Sequence, residues 1–579
     1  MVPPADGVTP IDTNGPYALA SLPMKSIFPS WRVLAASVAA ALLAACAGSP
    51  VTPGASVAAA KPRLVVFLVI DGLPQRQITA YRDQLAPDGF ARFLDRGAWF
   101  SEARYGHSFT VTAAGHATML TGAYPHRTGI IGNDWRDASG ALVYNTGDTS
   151  AKYIGHETKP LDGTSPRNLK VETVGDVLRR ADPRSKVIAI SGKDRGAILP
   201  AGKSGVAYMY QSSDGEFASS TYYMNQHPAW VTEFNARKGA DKYFRTEWKP
   251  VLAESAYARS VPDSQPWFGP KGGKLPMLMV GGANDSAPNP AFYSALLRSP
   301  FADELALDFA RAALRGENLG RDESTDILVV SLSGHDYVNH MWSAESRLSH
   351  DHFLHLDRML QAFFRDLDAT VGAGNYVAVL TADHGFMPAP EMTAAQGQPA
   401  GRINGGQALA RLNAGLEKRF GPVRLLLGYS GSSLLLNREL MAQQKLDANA
   451  VAEEARNLLL AEPGFGSAFT ERELESGSRG GAPFFEASRK SWHPQVSGQV
   501  QYTLKPGWMF ASSTSITTHG SPHEYDNHVP LLFWGPAWVR PGRIDRPVEI
   551  VDIAPTLAAL LRLPPPAASE GKPLPLAGP

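Results

Sequence analysis

The stretch Arg63-Leu64-Val65-Val66-Phe67-Leu68-Val69-Ile70 runs without a break into Asp71-Gly72. An unbroken apolar, β-branched run of this length suits a strand buried on both faces of a parallel sheet; a half-exposed strand would alternate. Similar runs recur at 186–191 (KVIAIS), 326–333 (DILVVSLS), 376–381 (YVAVLT) and 529–534 (VPLLFW). Helix-like segments separate them. Phe353, Leu356, Leu360, Phe363, Phe364 and Leu367 follow the three- and four-residue spacing of an amphipathic helix. Strands alternating with helices predict an α/β fold, a mostly parallel central sheet flanked by helices. Two stretches break the alternation, roughly 200–300, rich in Tyr, Trp, Phe, Ser and Asn, and 390–525, with several Gly-rich turns. They read as insertions packing into a cap. The expected catalytic domain spans 63–565, with 566–579 as a tail.

The chain has 579 residues, 44% of them hydrophobic and 19% charged, the composition of a globular protein with a large core. Lys and Arg (55) balance Asp and Glu (55), so no global field favours nucleic acid, and no nucleic-acid partner is implied. A single cysteine excludes an intramolecular disulfide framework and zinc sites built on several thiolates. Any metal must take Asp, Glu, His or hydroxyl ligands. That cysteine, Cys46, ends the run Leu43-Ala44-Ala45-Cys46, after basic Lys25 and Arg32 and an uncharged stretch from Val33. A basic flank and a short apolar core make a secretory signal rather than a membrane span. The run resembles a bacterial lipobox, so residues 1–46 are expected to be an extension and signal, with Met24 as the true start. Residues 47–62 would be a flexible tether, and a lipid on Cys46 the only membrane contact. The expected location is the periplasm or, as a lipoprotein, the outer membrane.

The residues at the strand ends point to the chemistry. The first strand delivers Asp71; KVIAIS leads to Lys193-Asp194-Arg195; DILVVSLS leads to Asp336 and His340; YVAVLT leads to Asp383-His384. In open α/β sheets ligands gather at the carboxyl ends of strands. One Asp after a strand is commonly a turn former. Four strand ends that together bring carboxylates, imidazoles and cations match divalent metals held by nitrogen and oxygen, a mixture that zinc accepts.

Several motifs then resemble the alkaline phosphatase superfamily, and within it the phosphate-insensitive alkaline phosphatases. They are VIDG around Asp71, TVTAAGHATMLTG around Thr112, GNDW around Asn133, SGKDRGAILPAGK, SGHDYVNH, TADHGF, YDNHVPLLFWG around His528, and VDIAPTLAALL. The resemblance implies two zinc ions: Asp71, Asp383 and His384 with the nucleophile Thr112 on one, and Asp336, His340 and His528 on the other. Such a pair clamps the attacking and leaving oxygens of an in-line displacement. Coordination to a dication is what would turn a threonine hydroxyl into a nucleophile. Thr110 is the rival nucleophile, and the TAAGH alignment selects Thr112. His116 reads as a structural helix histidine. His350, His352 and His355 share a helix and read as a solvated or supporting face. His519 and His523, near His528, are where a ligand assignment would most easily slip.

The resemblance also implies phosphate-binding roles for Asn133, Lys193 and Arg195, a set that marks monoesterases. Arg195 offers a planar fork and Lys193 a point charge for a dianionic phosphoryl group. The expected activity is hydrolysis of small phosphate monoesters through a covalent phosphothreonine. A nucleotide pyrophosphatase or phosphodiesterase of the same superfamily is the alternative, and a non-catalytic phospho-ligand-binding lipoprotein a further one. Sulfatases are excluded, because no Cys/Ser-x-Pro-x-Arg motif occupies the nucleophile segment.

Overall fold

A computed structural model describes residues 60–268, 272–512 and 514–576. The expected signal, Cys46 and most of the tether lie outside these residues. Leu64–Ile70 is the middle strand of a nine-stranded sheet, and all seven of its residues are fully buried. Across the sheet the strands are Gly542–Glu549, Ala98–Arg104, Leu531–Trp534, Tyr376–Thr381, Leu64–Ile70, Asp326–Leu332, Val187–Ser191, Val206–Gln211 and Glu216–Ala218. The five from Tyr376–Thr381 to Val206–Gln211 are parallel. Leu531–Trp534 instead runs antiparallel to both its neighbours. Its amino end therefore lies at the edge where the parallel strands present their carboxyl ends.

Register lines up the strand ends. Val69 pairs with Thr381, Ile70 with Leu332, and Ser331 with Ser191. Continuing each pairing by one or two residues sets Asp383, Asp71, Ser333 and Lys193 in one row across four adjacent strands. At about 4.8 Å per strand the row is about 14 Å long.

Helices cover the sheet. Arg347–Thr370, started by Ser346 Oγ accepting from Ser349 N at 3.1 Å, buries Phe353, Leu356, Leu360, Phe363, Phe364 and Leu367 completely, as their spacing predicts. It packs against Pro300–Gly316, which lies on the Asp326–Leu332 and Val187–Ser191 strands. Thr112–Thr121 packs on Asp194–Ala201, which rests on Val187–Ser191 and Val206–Gln211.

The two expected insertions differ in kind. Strands Val206–Gln211 and Glu216–Ala218 of the first belong to the central sheet and extend it by two strands, so the bulk of that insertion outside the sheet comes after residue 218. Much of the second builds its own module. Leu426–Ser430, Ser433–Leu436, Val500–Leu504 and Phe465–Thr470 form a four-stranded antiparallel sheet. With helices Gly405–Phe420 and Ala448–Ala461 they enclose a second core of Leu412, Leu416, Leu434, Val451, Leu459 and Val500. The expected tail is also part of the fold up to residue 576. Glu570 N donates to Gly122 O at 2.7 Å, Arg540 N donates to Leu576 O at 2.7 Å, and Leu574 and Leu576 are buried. Among the described residues no helix is long and apolar enough to cross a membrane.

Candidate active site

Asp71 leaves its strand through a turn only glycine fits well. Gly72 has φ +73°, and a Cβ there would come within 3.1 Å of Asp336 Cα and Cβ. Gly72 N donates to Asp383 Oδ1 at 3.0 Å, and its carbonyl accepts from Asn339 Nδ2 at 3.0 Å. One turn thus ties three strand ends together. Gly115, in the helix that carries Thr112, lies against the same ends: a Cβ there would meet Asp383 O at 2.2 Å.

Thr112 opens the helix Thr112–Thr121, after Val111, which provides no side-chain cap. The first N–H groups of a helix lack internal partners and favour anions. Ala113 N is taken by Asn133 Oδ1 at 2.9 Å. That bond fixes the amide orientation and leaves the Asn133 NH2 group to donate elsewhere. Thr112 Oγ1 lies 3.5 Å from His384 Nε2. The rival hydroxyl is committed, because Thr110 Oγ1 donates to Ser521 O at 2.9 Å.

Two clusters of possible metal ligands share His384, which faces Thr112. In the first, His384 Nε2 lies 3.6 Å from Asp71 Oδ1 and 3.4 Å from Asp383 Oδ2. In the second, Asp336 Oδ1 lies 3.4 Å from His340 Nε2, 3.6 Å from His519 Nε2 and 3.9 Å from His384 Nε2. The rings of His384 and His519 stack at 3.4 Å. All three imidazoles turn Nδ1 to a backbone carbonyl at 2.9 Å: His340 to Thr517, His384 to Gly385 and His519 to Thr110. A carbonyl only accepts, so Nδ1 holds the proton and a bare Nε2 lone pair faces the carboxylates. Asp71 Oδ1, Asp336 Oδ1 and Asp383 Oδ2 are buried with no hydrogen-bond partner. Lone pairs converging on orphaned carboxylate oxygens fit divalent cations and little else.

Lys193 sits between the clusters, its Nζ 2.8 Å from Asp71 Oδ2 and 2.5 Å from Asp336 Oδ2. Burial lowers its pKa, but the Asp336 and Asp71 carboxylates outweigh this and hold it above the usual lysine range. Burial raises the Asp71 carboxyl well above the ordinary range, and the charge of Asp383 adds to this. Asp336 is buried too, yet Lys193, then His340 and His519, hold it well below. Arg195 is positioned by a chain: its Nη1 donates to Tyr144 OH at 3.1 Å, and Tyr144 OH donates to Asp194 Oδ1 at 2.6 Å. Arg195 Nε stays buried without a partner.

The structure brings together Asp71, Thr112, Asp336, His340, Asp383 and His384, with Asn133, Lys193 and Arg195 at the same edge, but it does not bring His528. The His528 Nε2 donates to Ser101 O at 2.7 Å, and its Nδ1 faces Glu524 at 3.4 Å. His528 immediately precedes the antiparallel strand region and turns outward to Ala98–Arg104, three strands from Leu64–Ile70, roughly 14 Å at ordinary strand spacing. His519 stands where His528 was expected. The spacing of histidines near 519–528 flagged the ambiguity but did not resolve it. His116 supports rather than ligates: Nδ1 lies 2.9 Å from Thr112 O and 3.3 Å from Asp383 Oδ2, Nε2 2.8 Å from Ser331 Oγ. His350 and His352 are fully buried, not solvated, and His352 Nδ1 lies 3.2 Å from His335 Nδ1 behind Asp336. Tyr144 had no sequence signal.

Residues 65–526 match the family described as type I phosphodiesterase / nucleotide pyrophosphatase. The chain belongs to that family. Among its relatives, the alkaline phosphatase PhoV of Synechococcus elongatus is 34% identical over 530 residues, 89% of this chain and 92% of PhoV. Alkaline phosphatase PafA of Elizabethkingia meningoseptica is 33% identical over 519 residues, 89% of this chain and 94% of PafA. The crystal structure of wild-type alkaline phosphatase PafA superposes with a TM-score of 0.81 at 32% identity, covering 89% of this chain and 98% of that one. This family member thus shares the fold of PafA over nearly its whole described length.

Proposed function

We infer that the chain is an alkaline phosphatase that hydrolyses phosphate monoesters to inorganic phosphate, with Thr112 as nucleophile and two zinc ions as cofactors. The observation that carries this reading is a buried lysine, 2.8 and 2.5 Å from carboxylates of two adjoining metal-type clusters, with Arg195 at the same edge. Two cations beyond the metals suit a phosphoryl group with two charges.

Asp71, Asp383, His384 and Thr112 would hold one zinc, and Asp336, His340 and His519 the other. When bound, the metals supply a lowered hydroxyl pKa and charge neutralisation at the leaving oxygen. The protein's own groups do the rest. Thr112 Oγ forms a bond to phosphorus as the ester P–O bond breaks, leaving phosphothreonine; attack by water then restores Thr112 and frees phosphate. The Asn133 amide, Lys193, Arg195 and the free N–H groups of the helix start hold the non-bridging oxygens. Backbone carbonyls at Thr110, Gly385 and Thr517 orient the imidazoles.

The family description favours a second reading, phosphodiesterase. The test is kcat/KM for an aryl phosphate monoester, diester and sulfate on one preparation with bound metal counted. Monoester preference with two zinc ions per chain is expected; diester preference would replace the assignment. We further read residues 24–46 as an export signal with Cys46 lipidated, placing the enzyme in the periplasm or on the outer membrane.

A further inference from the structure

The segment Phe109-Thr110-Val111 leads into Thr112, and a second segment, His519-Gly520-Ser521, lies against it. Gly520 has φ +113°, a conformation open mainly to glycine, and a Cβ on it would stand 3.2 Å from the Phe109 ring and 3.3 Å from Val111 Cγ1. This close approach lets the residues on either side of Gly520 bond to Thr110, which is fully buried. His519 Nδ1 donates to Thr110 O at 2.9 Å, and Thr110 Oγ1 donates to Ser521 O at 2.9 Å. One residue grips the loop at two points, with its backbone and with its side chain.

The same loop is held from another side. Met387 N donates to Thr518 O at 3.1 Å, and Thr517 Oγ1 donates to Met387 O at 2.7 Å. Farther on, Gly385 N donates to Asp526 O at 2.6 Å and Phe386 N to Tyr525 O at 2.8 Å. Ser521 N and Oγ both donate to Asp526 Oδ2, at 2.9 and 2.5 Å, and close the loop on itself. These bonds tie the loop to 385–387, the segment after His384. Of all these bonds, those of Thr110 alone run to the segment that carries Thr112.

In-line displacement needs the attacking and leaving oxygens held at a fixed separation. Thr112 Oγ1 lies 3.5 Å from His384 Nε2 of the first cluster, and His519 Nε2 lies 3.6 Å from Asp336 Oδ1 of the second. Thr110 is two residues from Thr112 and bonded to the His519 ring, so it sets one against the other. A β-branched side chain is stiff at χ1, which gives the hydroxyl a fixed direction.

We propose that Thr110 is a positioning residue, a clamp that locks the loop of His519 to the segment of Thr112 and holds the second ligand cluster in register with the nucleophile. The proposal rests on the reading of His519 as a metal ligand and adds the residue that sets its place.

The test is zinc affinity, measured for each site by competition with a chelator. Thr110→Val keeps the shape of the side chain but removes the donor, leaving Ser521 O without it. It should weaken one zinc site about 10- to 100-fold, the usual effect of losing an outer support of a ligand, and leave the other unchanged. Thr110→Ser keeps the donor and should bind zinc as the wild type does. Thr110→Ala removes the donor without placing a methyl group against Ser521 O, and it should weaken the same site even if the valine variant fails to fold. Adding Thr110→Val to His519→Ala should not loosen the zinc that His519→Ala retains. Unchanged affinity at both sites in the hydroxyl-free variants, equal weakening of both sites, or a serine variant as weak as the valine one overturns the proposal. The two failures are distinguishable: if His519→Ala loses a zinc ion while Thr110→Val and Thr110→Ala lose no affinity, the clamp alone falls, whereas a His519→Ala protein that keeps both ions overturns the ligand reading and the clamp with it.

Discussion

Replacing Lys193 and Arg195 together by alanine should turn the protein into a relatively better diesterase. Both cations are largely withdrawn from water, their side chains 2% and 18% exposed, so neither is screened as a surface charge would be. A charge-assisted hydrogen bond contributes about 1.5–3 kcal/mol net. Two such contacts sum to about 3–6 kcal/mol, and at 1.36 kcal/mol per tenfold the monoester kcat/KM should fall about 10²- to 10⁴-fold. A diester has one charge on its non-bridging oxygens and in the proposed mechanism depends mainly on Thr112 and the metals, so its rate should fall much less. The assay is kcat/KM for 4-nitrophenyl phosphate and its bis ester on wild type and K193A/R195A. Zinc must be counted in both, because Lys193 lies between carboxylates of both clusters, 2.8 and 2.5 Å away, and its removal also changes the field at the metals. Equal losses on the two esters at unchanged metal content would refute the charge argument.

The two histidines separate cleanly. His519→Ala should lower bound zinc by about one per chain and cut activity by two orders of magnitude or more, whereas His528→Ala should keep full metal content; the reverse pattern would restore His528 as the ligand. Acid sensitivity should reside partly in His107, whose pKa burial, with a smaller effect of Lys490, pushes down to about 3. Its ring nitrogens have no partners, so below about pH 6.5 the unfolded chain takes up a proton that the native protein refuses, and stability falls as pH drops from there toward 3. That loss is about 1.4 kcal/mol at pH 5.5, and His107→Phe should flatten the Tm profile between pH 7.5 and 5.5 accordingly; an unchanged slope would show that other groups dominate. Cys46→Ser should move the protein from the membrane fraction to a soluble one with phosphatase activity intact, and a wild type that is already soluble would leave plain secretion.

The sequence by itself determined the central parallel strands, because a segment buried on both faces must be continuously apolar, and Leu64–Ile70 reads as nothing else. It likewise determined that Asp71, Lys193, Asp336 and Asp383 share an edge, since each comes directly after such a strand and parallel strands end on the same side. The amphipathic spacing of 353–367 settled the long helix in the same way. Strand direction was not legible in VPLLFW, because an apolar run is equally apolar in either sense. Only the sheet decided that Leu531–Trp534 runs antiparallel between Tyr376–Thr381 and Ala98–Arg104. That placement carries His528 to Ser101 and leaves the position facing Asp336 to His519, in a loop whose local sequence holds no periodic signal. The aromatic contacts of the second module are of the same kind. Tyr429 lies far along the chain from the neighbouring strands that carry Tyr502 and Phe510, and their rings meet only because the second module folds on its own core. Burial patterns are local and therefore written in the sequence, whereas which loop reaches which strand depends on packing between distant segments, and that is decided in three dimensions.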